Sequence, residues 1–243
     1  MNKTPVEIKV KHHHDFNDSE LNCLSYRRAL KYDKRTYFQY YFSLIKSKQL
    51  LFFSFYPNND YNSKLIKITL FFFSFALYYT VNALFFNDST MHKIYEDNGT
   101  FNFIYQIPQI IYSTIVSTII KNILTILSLT ENKITEIKNE KTFELCIQKM
   151  KKLIRFLQIK FILFFAFEFL FLILFWYYLS SFCTVYKNTQ VYLIKNTLIS
   201  FATSLLYPFG LNIIPCILRI PSLKSVKKDK ECLYKISKIA QFI

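Results

Sequence analysis

Glycine is nearly missing from this chain: Gly99 and Gly210 are the only two in 243 residues. A glycine-rich phosphate loop is thereby excluded, because its backbone amides must crowd a phosphate with no Cβ atoms in the way. Neither Cys-x-x-Cys nor His-Glu-x-x-His occurs, which removes the common thiol and metal signatures. Acidic residues are scarce, 16 against 31 basic ones, for a net charge of +15. The first 35 residues contain no apolar core, so no cleavable signal peptide is expected there. No set of residues for catalysis emerges. The chain does not read as an enzyme, and it calls for no cofactor and no metal.

What is abundant is apolar and aromatic: 52% hydrophobic residues, with 27 Phe and 18 Tyr. Four long runs carry most of it, Leu65–Phe86, Phe103–Leu127, Phe161–Tyr178 and Val191–Leu218. A bilayer core about 30 Å thick needs ~20 apolar residues at about 1.5 Å rise per residue. In lipid the backbone must satisfy its own hydrogen bonds, so each run is predicted to be a helix. The fold class expected is all-α: an integral membrane protein with four transmembrane helices, plus amphipathic helices at the interface. The first run would act as an uncleaved signal-anchor.

The basic residues are distributed unevenly. Twelve Lys and Arg precede or begin the first run, up to Lys67; nine lie in 121–160; seven follow from Arg219. The loop 87–102 has Lys93 alone, and Lys187 and Lys195 lie near the turn between the last two runs. Positive loops stay cytoplasmic, so both termini and the central loop are expected inside and the two short loops outside. Lys, Asn, Ile, Phe and Tyr all abound, as an AT-rich genome would write them, but a uniform bias would not empty two loops of lysine. Placed beside spans, the charge fits attraction to anionic lipid at the cytoplasmic face, about 1 kcal/mol per basic residue near the surface, better than nucleic-acid binding.

The expected organisation follows. Residues 1–35 form a polar, mobile cytoplasmic tail, whose His12-His13-His14 reads as solvated rather than as a metal site. Residues 36–64 form an aromatic and basic interfacial segment; Lys46 and Lys48 near the middle of Thr36–Tyr56 argue against a fifth span. The membrane domain is 65–218, and 143–160 within it is a basic amphipathic cytoplasmic helix with Cys146, Ile147, Met150, Leu153, Ile154 and Leu157 on one face. Residues 219–243 form a basic cytoplasmic tail. Of the five cysteines only Cys183 falls near the outer face, so no disulfide framework is implied; Cys216 and Cys232 at the inner interface are ordinary thiols or acylation sites.

Glu168 is the one carboxylate inside a run. It needs a partner or a path to water. Lys121, at a similar depth near the inner end of the second span, is the expected partner, with Ser117, Thr118 and Tyr207 nearby. The pair reads either as a packing device or as a titratable site on an ion or proton pathway. Pro208, Gly210 and Pro215 interrupt the last run and are expected to break its helix. The outer loop holds two glycosylation sequons, at Asn87 and Asn98, with Asn98 the better candidate because Asn87 lies close to the membrane. His92 with Asp88 and Glu96 reads as a solvated loop rather than as a cation site.

Several segments are familiar together: Tyr32-Asp33-Lys34-Arg35-Thr36-Tyr37, Asn59-Asp60-Tyr61-Asn62-Ser63-Lys64, Asn87-Asp88-Ser89-Thr90-Met91-His92, Tyr105-Gln106-Ile107-Pro108-Gln109, and Phe175-Trp176-Tyr177-Tyr178 through Tyr186-Lys187-Asn188-Thr189-Gln190 to Tyr207-Pro208-Phe209-Gly210. Over about 19–223 the chain resembles a multi-span membrane segment, with no assigned activity, found at the C-terminal end of large surface-type proteins of ciliates and other protists. The resemblance implies class and source, not mechanism. Those relatives carry a large extracellular region upstream, so this chain would be a truncated copy or partial product. The function expected is a structural or anchoring membrane module, a glycoprotein of the plasma membrane or a secretory-pathway membrane, working as a homo-oligomer or with a larger membrane partner. The alternative is an oligomeric ion channel or transporter subunit that uses Glu168.

Overall fold

The computed structural model describes residues 16–57, 60–98, 102–129, 134, 137, 143–224 and 230–242. Among the described residues the chain is all-helical, without strands. In order the helices are α1 (Asp18–Cys23), α2 (Tyr26–Tyr32), α3 (Tyr37–Lys48), α4 (Leu50–Phe55), α5 (Lys64–Leu84), α6 (Asp88–Glu96), α7 (Phe103–Ser128), α8 (Phe143–Val185), α9 (Gln190–Leu211), α10 (Ile213–Lys224) and α11 (Glu231–Phe242). Four stretches are long and apolar enough to cross a membrane: Lys64–Leu84, Phe103–Thr125, Glu144–Val185 and Gln190–Lys224.

These four form the body of the molecule, and α5 is its centre. It packs against α4, α7, α8 and α9. One face sends Ile66, Leu70, Phe73, Leu77 and Val81 into a cluster with Leu124 of α7 and Phe164 of α8. Phe73 meets Phe171 of α8 edge-on at 6.2 Å, an arrangement aromatic quadrupoles favour, and Phe175 at a 39° tilt with ring centres 5.6 Å apart. On another face Phe71, Phe75 and Tyr78 surround Phe201 of α9. By contrast α8 buries 11% of its apolar window, against 56% for α5.

The ends of the chain differ from the sequence expectation. The expected mobile tail 1–35 is helical from Asp18, where a capping box forms: Asn17 accepts from the Glu20 amide at 2.7 Å and Glu20 accepts from the Asn17 amide at 2.9 Å. The short run around Ala29 was too polar to show this; its burial comes from partners far along the chain. His12, His13 and His14 lie outside the described residues. The expected C-terminal tail is also structured, since α10 and α11 pack side by side. The interfacial segment divides at Gln49 into α3 and α4, twelve and six residues long, neither able to cross about 30 Å alone. The amphipathic helix expected at 143–160 and the third span form one helix of 43 residues, because nothing between Lys160 and Phe161 stops it.

A buried arginine joins these terminal parts. Arg219 of α10 is fully buried. Its Nη2 and Nε donate to Asp33 Oδ2 at 2.9 and 3.2 Å, and further N–H groups donate to the carbonyls of Leu21 and Asn22. Tyr40 and Tyr234 stack over the guanidinium at 4.9 and 4.8 Å. Arg35 holds the other Asp33 oxygen at 2.8 Å. Four of the five guanidinium N–H groups and both carboxylate oxygens are thus answered, as a charge away from water requires. The Asp33 carboxyl is pulled two ways: burial raises it, and the hydrogen bonds and charges of Arg35 and Arg219 outweigh burial and hold it below its ordinary 3.8.

Asp33→Asn leaves the buried guanidinium without its counter-charge and is expected to cost about 3–5 kcal/mol, read as a lowered unfolding midpoint in detergent. The Asp33→Leu/Arg219→Met double variant is expected to lose less than the two single losses combined, and additive losses would argue against coupling. A carboxylate held below its unfolded pKa stabilises the fold above that pKa and ceases to as pH falls through the folded value. Acid sensitivity below about pH 4 is therefore expected, weaker in Asp33→Asn, from the same midpoints measured against pH.

Candidate functional site

The polar residues inside the apolar layer line one seam between α5, α7 and α9. On α9 they recur every four residues, Tyr192, Asn196, Ser200 and Ser204, and all four are buried. On α7 they are Gln106, Gln109, Ser113 and Ser117, and on α5 Tyr78 and Asn82. Spacings of three and four place each set on one helix face.

The seam is knitted by hydrogen bonds between helices. Asn196 Nδ2 donates to Gln106 Oε1 at 2.8 Å, and Gln106 Nε2 donates to Tyr192 Oη at 3.0 Å. Lower down, Ser113 Oγ donates to Ser200 Oγ at 3.3 Å, and Ser200 Oγ donates to Asn82 Oδ1 at 3.2 Å. Gln109 Nε2 reaches the Asn82 carbonyl at 3.2 Å, and the Tyr78 and Thr118 hydroxyls lie 3.2 Å apart. Among the described residues three buried side-chain oxygens, Ser117 Oγ, Asn196 Oδ1 and Thr197 Oγ1, have no protein partner. The sequence reading looked for charges and missed this seam. The four-residue recurrence on α9 was the signal that would have shown it.

Glu168 is 6% exposed and sits on the packed stripe of α8, between Phe164 and Phe171. Among the described residues it forms no ion pair. The expected Glu168–Lys121 pair is not made. Ile120 and Leu124 of α7 join the apolar cluster that α5 and Phe164 of α8 share. Lys121 is turned by about 100° from Ile120 and lines a cavity with Tyr207 and Asn212 instead.

Pro208 and Gly210 do not break α9; both lie within it, and Pro208 is buried. The interruption falls at Asn212, a single residue between α9 and α10. Pro215 occupies the first turn of α10, where a missing N–H does no harm. It withholds the donor that would have bonded Leu211, which is why the ladder stops there. Between α5 and α7, Asn87 caps α6: its Oδ1 accepts from Thr90 N at 2.8 Å and Ser89 Oγ at 2.7 Å. Asn98 is exposed just beyond α6, with a left-handed φ of 52°. His92 pairs with Glu96 at 3.1 Å, and no metal-binding cluster is found among the described residues.

This site therefore belongs to a class, an all-helical protein with four apolar helices of membrane-crossing length and a polar seam between three of them. No protein-family model, no curated protein and no solved structure matches the chain.

Asn196→Ala strands the Gln106 carbonyl in the apolar layer and is expected to destabilise by about 1–2 kcal/mol. Thr203→Ala, on the exposed face of the same helix, is expected to change stability by less than about 0.5 kcal/mol. Unfolding of the two variants in detergent compares them directly, and equal effects would show that the seam bonds contribute nothing.

Proposed function

We propose that the chain is a four-span integral membrane protein with both termini cytoplasmic, and that it serves as a structural or anchoring module. The observation that carries this reading is the seam. Gln106, Tyr192 and Asn196, and likewise Ser113, Ser200 and Asn82, bond to one another across helices, which suits groups that hold the bundle together. Outside, α8 offers a wide bare face that includes Ile162, Phe169, Ile173 and Trp176. Such a face suits lipid and lateral neighbours, either a second copy or a larger membrane protein. The asymmetry of Lys and Arg supports the orientation. The resemblance to C-terminal membrane segments of protist surface proteins agrees with an anchoring role.

Glu168 favours a second reading, an ion- or proton-conducting subunit, since a nearly buried carboxylate without an ion pair is the usual mark of a pathway. Proton and ion flux into liposomes separates the two. Under the anchoring reading, wild type and Glu168→Gln are equally silent once the protein is shown folded. Flux that falls in Glu168→Gln would overturn it. In cell membranes, a photo-crosslinking side chain at Phe169 is expected to capture a second copy or a large membrane protein; capture of lipid alone would count against anchoring.

Orientation is tested at the outer loop. Asn98, exposed and free of the cap that engages Asn87, is expected to carry a glycan. Glycosidase should shift wild type and Asn87→Gln but leave Asn98→Gln unmoved. An unshifted wild type from a glycosylating host would reject the glycan and remove this support for an external loop.

A further inference from the structure

Where α7 ends beside the break between α9 and α10 lies a cavity of about 390 Å³. Segments far apart in sequence supply its polar wall: Lys48 from the end of α3, Lys121 from α7, Tyr207 from α9, and Asn212 from the break itself. Leu70 and Leu211 belong to its apolar wall. Among the described residues no acidic side chain lines it.

The donors in this cavity lack an answer. Among the described residues neither Lys48 nor Lys121 has a carboxylate partner. The Lys48 ammonium is steadied by the Gln241 carbonyl of α11, which leaves its other two protons unassigned. Asn212 is 2% exposed, and among the described residues its Nδ2 donor has no acceptor. Buried N–H groups without acceptors are rare in folded proteins, and a bound acceptor relieves them. Two ammonium groups on one cavity repel each other and any further cation; an anion between them reverses both effects. Separate donors around a roomy space suit a multi-oxygen phosphate better than a two-oxygen carboxylate. Leu211, 38% exposed, continues the apolar wall outward, where a hydrocarbon chain can follow.

We propose that this cavity binds a phosphate group, carried by a phospholipid or free in solution, with Lys48 and Lys121 as its charged clamp and Asn212 as a neutral donor. The assignment stands apart from the anchoring reading, because binding in detergent depends neither on partners nor on orientation. Native mass spectrometry of the full chain tests it, with phosphatidic acid and phosphatidylcholine as probes and inorganic phosphate as competitor. One phosphatidic acid per chain is expected to be retained in preference to phosphatidylcholine. Lys48→Gln and Lys121→Gln are each expected to weaken retention about ten-fold, the size of one charge-assisted hydrogen bond, whereas the Arg variants retain it. Asn212→Asp sets a negative charge at the donor and should cause a similar loss through an independent residue. Displacement by millimolar inorganic phosphate assigns the site to free phosphate, and persistence assigns it to the lipid. Equal retention of both lipids without a phosphate adduct would overturn the proposal. So would wild-type binding in folded Lys48→Gln, Lys121→Gln and Asn212→Asp proteins.

Discussion

The packing of the long helices depends on α5, which meets partners on several sides and is the most buried of the four. It shares an aromatic face with α8, a polar and aromatic face with α9, and a mixed one with α7. α8 and α9 reach each other chiefly through it. The placement of Phe73, Tyr78 and Asn82 on this single rod therefore sets the relative rotation of the other three long helices. A rotation of α5 by one residue, about 100°, would remove the Phe73 ring from α8 and the Asn82 amide from Ser200 together.

The two kinds of contact divide the work. Apolar packing is permissive, since a Phe can slide along a Phe at small cost. Hydrogen bonds between side chains in an apolar layer are weak individually, about 0.6 kcal/mol on average, but they are directional. The Gln106–Asn196 and Asn82–Ser200 bonds therefore specify register more than they add stability. At the cytoplasmic end of the proposed topology Arg219 does the same with higher stakes: its charge tolerates no vacancy, so α1, α2, α3, α10 and α11 are bound to one arrangement around it.

The four long helices were legible because their signal is local: an apolar run states its own length and state. The terminal helices were not. Asp18–Tyr32 carries its charges openly in sequence, and its reason to fold, the Arg219 guanidinium, lies some two hundred residues away. The failure of the Glu168–Lys121 pairing has a related cause. Depth can be counted from either end of a run, but azimuth depends on which neighbours a helix meets, and Ile120 rather than Lys121 joins the apolar cluster shared with α8. The break near Pro208 and Pro215 was expected at the prolines; it falls between them at Asn212, beside Leu211, whose carbonyl Pro215 leaves without a donor.

One consequence follows from the unbroken length of α8. A helix of 43 residues is a rod about 64 Å long, and only part of it lies beside the bundle. Residues 143–160 extend it by about 26 Å beyond the apolar stretch. A rod of that shape works as a lever arm. Tilting the apolar part by about ten degrees carries the basic end sideways by about 4–5 Å, by the geometry of a rigid helix at this rise. In the proposed membrane topology, changes in bilayer thickness or curvature that alter the tilt of α8 would thus be delivered, amplified, to the row of lysines at its far end.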